Sequence, residues 1–219
     1  MEDRLIIGVD EAGRGPLFGD VYTGAVILPP ENFDTSKLKD SKKFTSKKKI
    51  KEVYEYIKEN AYIYSIDYST HEEIDKINIL QATQKSMHKS VHSVISQWIE
   101  SMKSEFEPSL FDTILICVDG NYFNEFHYFY GDQFYTIPHQ TMIKGDALCK
   151  SISAASILAK VQRDVYIDEF IQEHPDYEEK YKLSSNKGYG TKQHLDGIRS
   201  YGYSEFHRKT FKVKSLNLS

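Results

Sequence analysis

Short apolar runs alternate with amphipathic segments along the whole chain. Continuous apolar runs at residues 4–9, 21–28 and 114–118 predict buried strands, and residues 61–68 alternate with the period of two that is typical of a half-buried strand. Residues 134–137 predict one more short strand. A glycine-rich turn separates the first two runs, which predicts a hairpin.

Helical periodicity fills most of the sequence between these strands. Thr45 or Ser46 is expected to begin a helix that reaches Asn60, and Thr70 and Glu73 form a capping-box pattern for a short helix. Strands with helices between them, and no internal repeats, predict an α/β fold built on a mixed sheet. Further helices are predicted at residues 78–102, 147–172 and 191–201. The helix at 147–172 begins with small residues, so it is expected to pack close to that sheet.

Length and composition are those of an ordinary soluble domain. The chain has 219 residues, 40% hydrophobic and 27% charged, enough for one domain with a full core and a small C-terminal element. No apolar run approaches the ~20 residues that span a bilayer, and the N-terminus has no signal-peptide pattern. Two cysteines, Cys117 and Cys149, argue against a disulfide framework and favour a reducing compartment. We therefore expect a cytoplasmic protein.

Basic residues are concentrated in two segments of the chain, although its net charge is negative. The formal net charge is −4, but eight lysines and one acid lie between Lys37 and Lys51. Five basic residues and one acid lie between Arg199 and Lys214. Such patches either bind a polyanion or are solvated helix faces, and composition leaves both readings open.

Two acids follow the first apolar run directly. Asp10 and Glu11 end this run, and Gly13-Arg14-Gly15 comes after them. Glycines let backbone N–H groups approach a phosphate, and the arginine fork suits phosphate oxygens. The segment is either a plain strand-to-loop turn or a pair of metal-binding carboxylates beside a phosphate cradle.

Two further acids stand at element boundaries beside glycines. Asp119 follows the 114–118 strand, and Asp146 precedes the 147–172 helix. Each has a structural alternative, Asp119 as a turn residue and Asp146 as a helix N-cap. Four carboxylates in one cleft would raise one another's pKa unless cations neutralised them, and hard oxygen ligands suit Mg²⁺ or Mn²⁺. The sequence has no Cys-x-x-Cys or His-Glu-x-x-His pattern, which argues against zinc.

Seven motifs of the chain occur in the order of one known family. They are Asp-Glu-Ala-Gly-Arg-Gly-Pro-Leu (10–17), Asp-Ser-Lys-Lys (40–43), Val-Asp-Gly (118–120), Lys-Gly-Asp-Ala (144–147), Ser-Ile-Leu-Ala-Lys-Val-Gln-Arg-Asp (156–164), Lys-Gly-Tyr-Gly-Thr (187–191) and His-Arg-Lys-Thr-Phe (207–211). With these motifs the chain resembles ribonuclease HII, the type 2 ribonuclease H family, from about residue 5 to 212. The resemblance implies a ribonuclease H-like fold, a central mixed β-sheet flanked by helices. It implies a catalytic domain over residues 1–172 and a small helical C-terminal extension over 173–219, packed on the substrate cleft.

The resemblance also implies a catalytic metal site. Asp10, Glu11, Asp119 and Asp146 would be its four metal-binding carboxylates, with Asp10 bridging two ions. Two divalent ions, Mg²⁺ or Mn²⁺, are expected when substrate is bound.

Substrate-binding roles follow from the same resemblance. The loop Gly13-Arg14-Gly15 would read the ribose 2′-hydroxyl, the group that distinguishes RNA from DNA. Tyr189 would pack against the sugar at the RNA–DNA junction, its alternative being a core tyrosine. The candidate contacts with backbone phosphates are Lys42, Lys43, Arg163, His207 and Arg208.

Three features depart from the family pattern. Asp20 stands where the family usually has proline, which is expected to put another acid beside the site. Residues 181–183 read Tyr-Lys-Leu instead of Tyr-Gly-Phe, after a long acidic stretch, so the position of Tyr189 stays open. The tail at residues 215–219 lacks the aromatic end of a sliding-clamp peptide, so no clamp interaction is expected. The protein is expected to be a monomer.

The implied activity is an endoribonuclease that cuts RNA in RNA/DNA hybrids and 5′ of single ribonucleotides in duplex DNA. The products would carry 5′-phosphate and 3′-hydroxyl ends, and the roles would be ribonucleotide and primer removal in DNA replication and repair. One alternative is a type 3-like enzyme that cuts hybrids and ignores single ribonucleotides. The other is a hybrid-binding module without catalysis. Arg14 argues for type 2, and the four acids argue against the silent module.

Overall fold

A five-stranded mixed sheet forms the centre of the molecule. The computed structural model describes residues 4–38, 44 and 46–213. The sheet has the order β3-β2-β1-β4-β7, with β1, β2 and β3 antiparallel and β1, β4 and β7 parallel, while β5 and β6 form a separate hairpin. The strands are β1 (Leu5–Ala12), β2 (Val21–Ile27), β3 (Ile63–Ser69), β4 (Ile114–Asp119), β5 (Phe126–Tyr130), β6 (Gln133–Ile137) and β7 (His139–Met142).

Helices cover both faces of this sheet. The second helix packs on one face through a core that includes Met87, Val91 and Trp98, and the first and fourth pack on the other face. The helices are α1 (Lys47–Asn60), α2 (His71–Met102), α3 (Gly145–Leu148), α4 (Lys150–Glu173), α5 (Pro175–Tyr181), α6 (Leu183–Asn186) and α7 (Lys192–Tyr201).

The start of α4 lies directly against the sheet, as its small residues predict. Ser151 and Ala155 are buried, and a Cβ atom on Gly24 of β2 would lie 2.6 Å from the carbonyl oxygen of Ala155. Only glycine fits at such a distance. The close contact fixes α4 relative to β1 and β2, whose ends carry the first candidate acids.

The C-terminal helices pack on the loop that joins β1 to β2. Phe18 in that loop is fully buried and contacts the ring of Phe170 in α4 edge-to-face, with the centroids 5.1 Å apart. The loop and the C-terminal part of the chain therefore share one core. Its buried members are Leu17, Phe18, Ile167, Phe170, Tyr181, Leu183 and Ile198.

The α/β architecture and the antiparallel β1–β2 hairpin confirm the prediction, with several differences in detail. Ser46 caps α1 through its side chain. The capping box at Thr70 is present, but the two helices after it are joined across a kink at Asn78, where φ is 67°. The predicted 147–172 helix starts earlier, at Gly145, and is interrupted at Cys149, whose backbone is extended.

Four elements were missed by the pattern of the sequence. Strands β5 and β7 and helices α5 and α6 have four to seven residues each, too few for a period to stand out. Among the described residues, no helix has the length and apolar character that crossing a membrane requires. The expectations for Lys42, Lys43 and the tail at 215–219 lie outside the described residues.

Candidate active site

One cavity of about 360 Å³ brings the four predicted carboxylates together at the edge of the sheet. The loop at residues 13–15 and the ring of Tyr189 line the same cavity. Its described lining contains neither cysteine nor histidine. The lining residues are Asp10, Glu11, Ala12, Gly13, Arg14, Gly15, Asp119, Lys144, Asp146, Ser156, Lys160 and Tyr189.

Asp10 and Asp119 are brought together by the pairing of two parallel strands. Val9 of β1 is in register with Val118 of β4, so the next residue on each strand is an acid at the same edge of the sheet. Asp10 is only 5% exposed, and its Oδ1 accepts a hydrogen bond from the backbone N–H of Glu11 at 2.7 Å. The strand continues to Ala12, so both Asp10 and Glu11 reach the cavity without a turn between them.

The electrostatic surroundings of Asp10 and Glu11 favour a bound cation. Burial raises the pKa of Asp10 well above its ordinary value, and the negative charges of Glu11 and Asp119 raise it further. Burial and the charge of Asp119 also raise the pKa of Glu11, against the opposing effect of the Arg14 guanidinium 3.3 Å away. A cation among these oxygens would relieve both the burial cost and the repulsion.

Asp119 and Asp146 are linked through the N-terminus of α3. The Asp119 Oδ1 atom accepts a hydrogen bond from the backbone N–H of Gly145 at 2.6 Å, and Asp146 is the next residue. Lys144, in a left-handed conformation, occupies the N-cap position of α3, and Asp146 lies inside its first turn. The alternative of Asp146 as an N-cap is therefore wrong, and its carboxylate is directed to the cavity.

The donor set fits a hard divalent ion, although the side chains are not placed as a finished coordination shell. Among the described residues, no three His, Cys, Asp or Glu side chains lie close enough together to hold one ion. The cavity is lined by four carboxylates, and the charges of Asp10, Glu11 and Asp119 act on one another. Carboxylate oxygens are ligands that hard divalent ions prefer. Rotation of these side chains would be needed to complete the ligation.

The loop at residues 13–19 is held from behind by a buried arginine. Arg208 is fully buried and donates hydrogen bonds to the carbonyl oxygens of Gly13 at 2.7 Å, Arg14 at 3.1 Å, Pro16 at 2.8 Å and Gly19 at 2.7 Å. Since its donors are used inside the protein, Arg208 is not available to a phosphate. The prediction of a phosphate contact is corrected, and Arg208 organises the loop instead.

A second buried arginine supports the same loop from α4. Arg163 is 3% exposed and donates to the carbonyl oxygens of Phe18 at 3.2 Å, Asp20 at 3.1 Å and Lys187 at 3.0 Å. Gly13 has φ 98°, and a Cβ atom there would overlap the Arg163 side chain. Arg163 is also corrected from a phosphate contact to a support of the loop.

Tyr189 faces the loop across a narrow gap. A Cβ atom on Gly15 would lie 3.5 Å from Tyr189 Cε1, and the tyrosine is 48% exposed. The backbone N–H of Leu17 donates to the carbonyl oxygen of Gly188 at 2.8 Å, which ties the loop to the segment that carries Tyr189. The alternative of a core tyrosine is wrong, because the ring lies at the wall of the cavity.

Two further expectations are corrected by burial and bonding. His207 is fully buried among Phe18, Tyr181 and His194, so it does not reach a phosphate. The Asp20 carboxylate does not line the cavity: its Oδ1 accepts from the backbone N–H of His71, the first residue of α2, at 2.9 Å. The acid at the usual proline position therefore anchors a helix.

Three polar lining residues escaped the analysis of the sequence. Ser156 and Lys160 are four residues apart on α4, on one helix face, and Lys144 precedes α3. All three lie within motifs of the family resemblance, which was the available signal. Lys160 also forms an ion pair with Asp164.

Comparisons with known proteins identify the family of the chain. The family model for ribonuclease HII matches residues 7–214. The chain is 40% identical over 215 residues to ribonuclease HII of Staphylococcus saprophyticus, covering 98% of this chain and 72% of the relative. It is 42% identical over 208 residues to ribonuclease HII of Parabacteroides distasonis, covering 95% and 90%.

Solved structures show the same fold. Ribonuclease H2 from Pyrococcus horikoshii OT3 superposes with a TM-score of 0.65 at 22% identity, covering 94% of this chain and 93% of that one. Bst-RNase HIII in complex with Mn²⁺ superposes with a TM-score of 0.55 at 19% identity, covering 91% and 63%. The expected ribonuclease H-like fold is thereby confirmed. The chain belongs to the ribonuclease HII family, whose members are ribonuclease H enzymes that hydrolyse phosphodiester bonds.

Proposed function

We propose that this enzyme cuts the RNA strand of RNA/DNA hybrids and also cuts 5′ of single ribonucleotides embedded in duplex DNA. The observation that carries the proposal is that Gly15 and Tyr189 line the same cavity as the four carboxylates, so close together that a Cβ atom on Gly15 would touch the tyrosine ring. Sugars bound in the cavity would lie along this wall, one against the loop backbone at Gly15 and the next against the aromatic ring. Such a wall can discriminate a ribose from a deoxyribose, because a 2′-hydroxyl needs polar partners and a deoxyribose does not.

The loop and the tyrosine divide the recognition between them. Arg208 and Arg163 bind carbonyl oxygens of the loop from inside the protein, and the loop backbone at residues 13–15, which lines the cavity, would contact the 2′-hydroxyl. The Tyr189 ring would pack on the next sugar, where a hydroxyl would be disfavoured. This division places the RNA–DNA junction at the carboxylates. In this proposal the C-terminal extension, residues 173–219, contributes one wall of the cleft.

The four carboxylates would hold two divalent ions, Mg²⁺ or Mn²⁺, in the presence of substrate. The ions would supply a water of lowered pKa and neutralise charge on the phosphate and the leaving oxygen. Asp10, the buried acid with the charges of both Glu11 and Asp119 close by, would be the one shared by the two ions. Asp146, on the turn anchored by Asp119, would be the fourth carboxylate ligand. Hydrolysis at this place leaves 5′-phosphate and 3′-hydroxyl ends.

A panel of labelled duplexes tests the proposal. The substrates are a full RNA/DNA hybrid, a DNA duplex with one ribonucleotide and an all-DNA duplex, each assayed with Mg²⁺ and with Mn²⁺. Cutting of the first two, with a 3′-hydroxyl end 5′ of the single ribonucleotide, is expected. Cutting of the hybrid alone would instead support a type 3-like enzyme, and binding without cutting would support a silent module.

A further inference from the structure

We infer that His194 and His207 form a neutral two-imidazole relay that positions Tyr189, an inference that rests on the proposed role of Tyr189 at the junction. Neither histidine reaches the cavity, so both act through the tyrosine and are positioning residues. They would set the selectivity of the cleft for a ribonucleotide next to a deoxyribonucleotide.

The relay is a chain of three hydrogen bonds. The backbone N–H of Ser204 lies 3.0 Å from His207 Nδ1, with the Ser204 hydroxyl 2.7 Å from the same nitrogen as a second donor, and the two Nε2 atoms of His207 and His194 are 3.0 Å apart. At the other end, His194 Nδ1 lies 2.9 Å from the carbonyl oxygen of Tyr189. The chain thus starts in the C-terminal segment and ends on the backbone of the proposed sugar-contacting residue.

Only one arrangement of protons satisfies all three bonds. A backbone N–H must donate, so His207 Nδ1 is unprotonated and His207 Nε2 carries the proton. This proton is donated to His194 Nε2, which therefore carries none. His194 Nδ1 then holds a proton and donates it to the carbonyl oxygen of Tyr189. Each ring is neutral, because one more proton would set two N–H groups against each other.

The surroundings keep both rings neutral. Both histidines are fully buried. Burial lowers the pKa of His207 to about 3, with smaller contributions from His194 and His71, and burial also lowers the pKa of His194. The titratable side chains around His207 are His194 on α7, His71 on α2, Tyr181 on α5 and Tyr203 in its own segment, and none of these is a carboxylic acid.

The residue after His207 holds the opposite wall of the gap. Arg208 binds the carbonyl oxygens of Gly13, Arg14 and Pro16, whereas His207 acts through His194 on Tyr189. Two consecutive residues of one segment therefore fix both sides of the cleft. The width between Gly15 and Tyr189 follows from their common attachment.

Nitrogen NMR on the unmodified protein tests the relay without using activity. The imidazole ¹⁵N shifts at pH 7.5 should show His207 as the Nε2–H tautomer and His194 as the Nδ1–H tautomer, and both should stay neutral down to pH 5. An Nε2–H tautomer at His194, or protonation of either ring near pH 6.5, would overturn the inference.

Matched variants test the consequence for selectivity. The double variant His194→Leu/His207→Leu removes both rings of the central hydrogen bond together. The Tyr189 carbonyl oxygen keeps the hydrogen bond from the backbone N–H of Thr191, and the N–H of Ser204, which loses its partner, is only half-buried, so the fold is expected to persist. We expect its cleavage of the single-ribonucleotide duplex, relative to the hybrid, to fall about tenfold. His194→Asn keeps a donor near the Nδ1 position and should stay within about twofold of the unmodified ratio.

A control histidine separates this effect from a general one. His127 is exposed on β5, away from the cavity, and His127→Gln should leave the ratio unchanged. A folded double variant with an unchanged ratio would refute the inference. If the unmodified enzyme failed to cut the single-ribonucleotide duplex, the proposed function would fall, and the tautomers alone would decide on the relay.

Discussion

Gly15 and Tyr189 face each other across the candidate active site, 174 residues apart in sequence. A methyl group on Gly15 would lie 3.5 Å from Tyr189 Cε1, which is an ordinary van der Waals contact. A single methyl group would therefore fill the space between the two residues. This close approach gives the first prediction.

Gly15→Ala should impair cleavage without unfolding the protein. The added methyl group fits the folded chain but projects from the cavity wall on which the sugar would lie. We expect about a tenfold loss in kcat/KM on the single-ribonucleotide duplex, and a melting temperature within about 2 °C of the unmodified protein. Steady-state kinetics and calorimetry measure the two effects. Normal kinetics would mean that the sugar does not contact the loop at Gly15.

Asp119→Asn should abolish cleavage and retain binding. The amide oxygen can still accept the hydrogen bond from Gly145, so α3 stays in place, but one negative charge for the metal ions is lost. We expect a fall in kcat of at least about 10³-fold, with a hybrid Kd within about threefold. Asp112→Asn is the control, because Asp112 is exposed and lies two residues before the start of β4, whereas Asp119 ends that strand. Near-normal cleavage by Asp119→Asn in Mg²⁺ would contradict the metal assignment.

Arg208→Lys should destabilise the protein despite conserving the charge. An ammonium group cannot reproduce a planar fork that reaches four carbonyl oxygens. We expect a loss of about 3 kcal/mol in the free energy of unfolding, measured by denaturant titration. The matched change Arg199→Lys, at an exposed ion pair with Asp196, should cost less than about 0.5 kcal/mol. Equal costs would show that charge alone, and not fork geometry, matters at residue 208.

Acid should destabilise the fold through His207. Its pKa is about 3 in the folded protein and about 6.5 in an unfolded chain, so between these values the unfolded state binds more protons. The stabilisation is complete above pH 6.5 and is lost as the pH falls towards 3. Between pH 7 and 5 the unmodified protein should lose roughly 2 kcal/mol more than His207→Leu.

The comparison of two proteins is needed because other groups have the opposite effect. The raised pKa values of Asp10 and Glu11 mean that acid relieves their repulsion in the folded state. Both proteins share this contribution, so it cancels in the difference. Parallel curves for the two proteins would show that His207 accepts a proton without unfolding.

The sequence predicted the acids well because their placement follows from local rules. Asp10 and Asp119 each end an apolar strand, and parallel strands with matching ends bring such residues to one edge. The α/β class follows from the same alternation of strand and helix patterns. Tyr189 could be named from its motif, although only the structure shows which surface it faces.

The structural roles of Arg163 and Arg208 could not be predicted from the sequence, because nothing in the local pattern separates a buried arginine from one on the surface. Arg163 and Arg208 find their partners 145 and 195 residues away, in carbonyl groups that converge only after the β1–β2 loop has folded. His207 is hidden in the same way by Tyr181 and Phe18. A charged residue in a short motif suggests a phosphate contact until its burial is known.

The attachment of the loop to Arg208 has a consequence for the order in which the enzyme matures. The carboxylates come from β1, β4 and α3, all made before residue 150 of the growing chain. The guanidinium that shapes the Gly13–Gly15 loop is made almost 60 residues later. A nascent or truncated chain would thus carry the cutting groups before it carries the means to choose where to cut. Under the proposed function, selectivity would therefore depend on a segment that is synthesised after all four carboxylates.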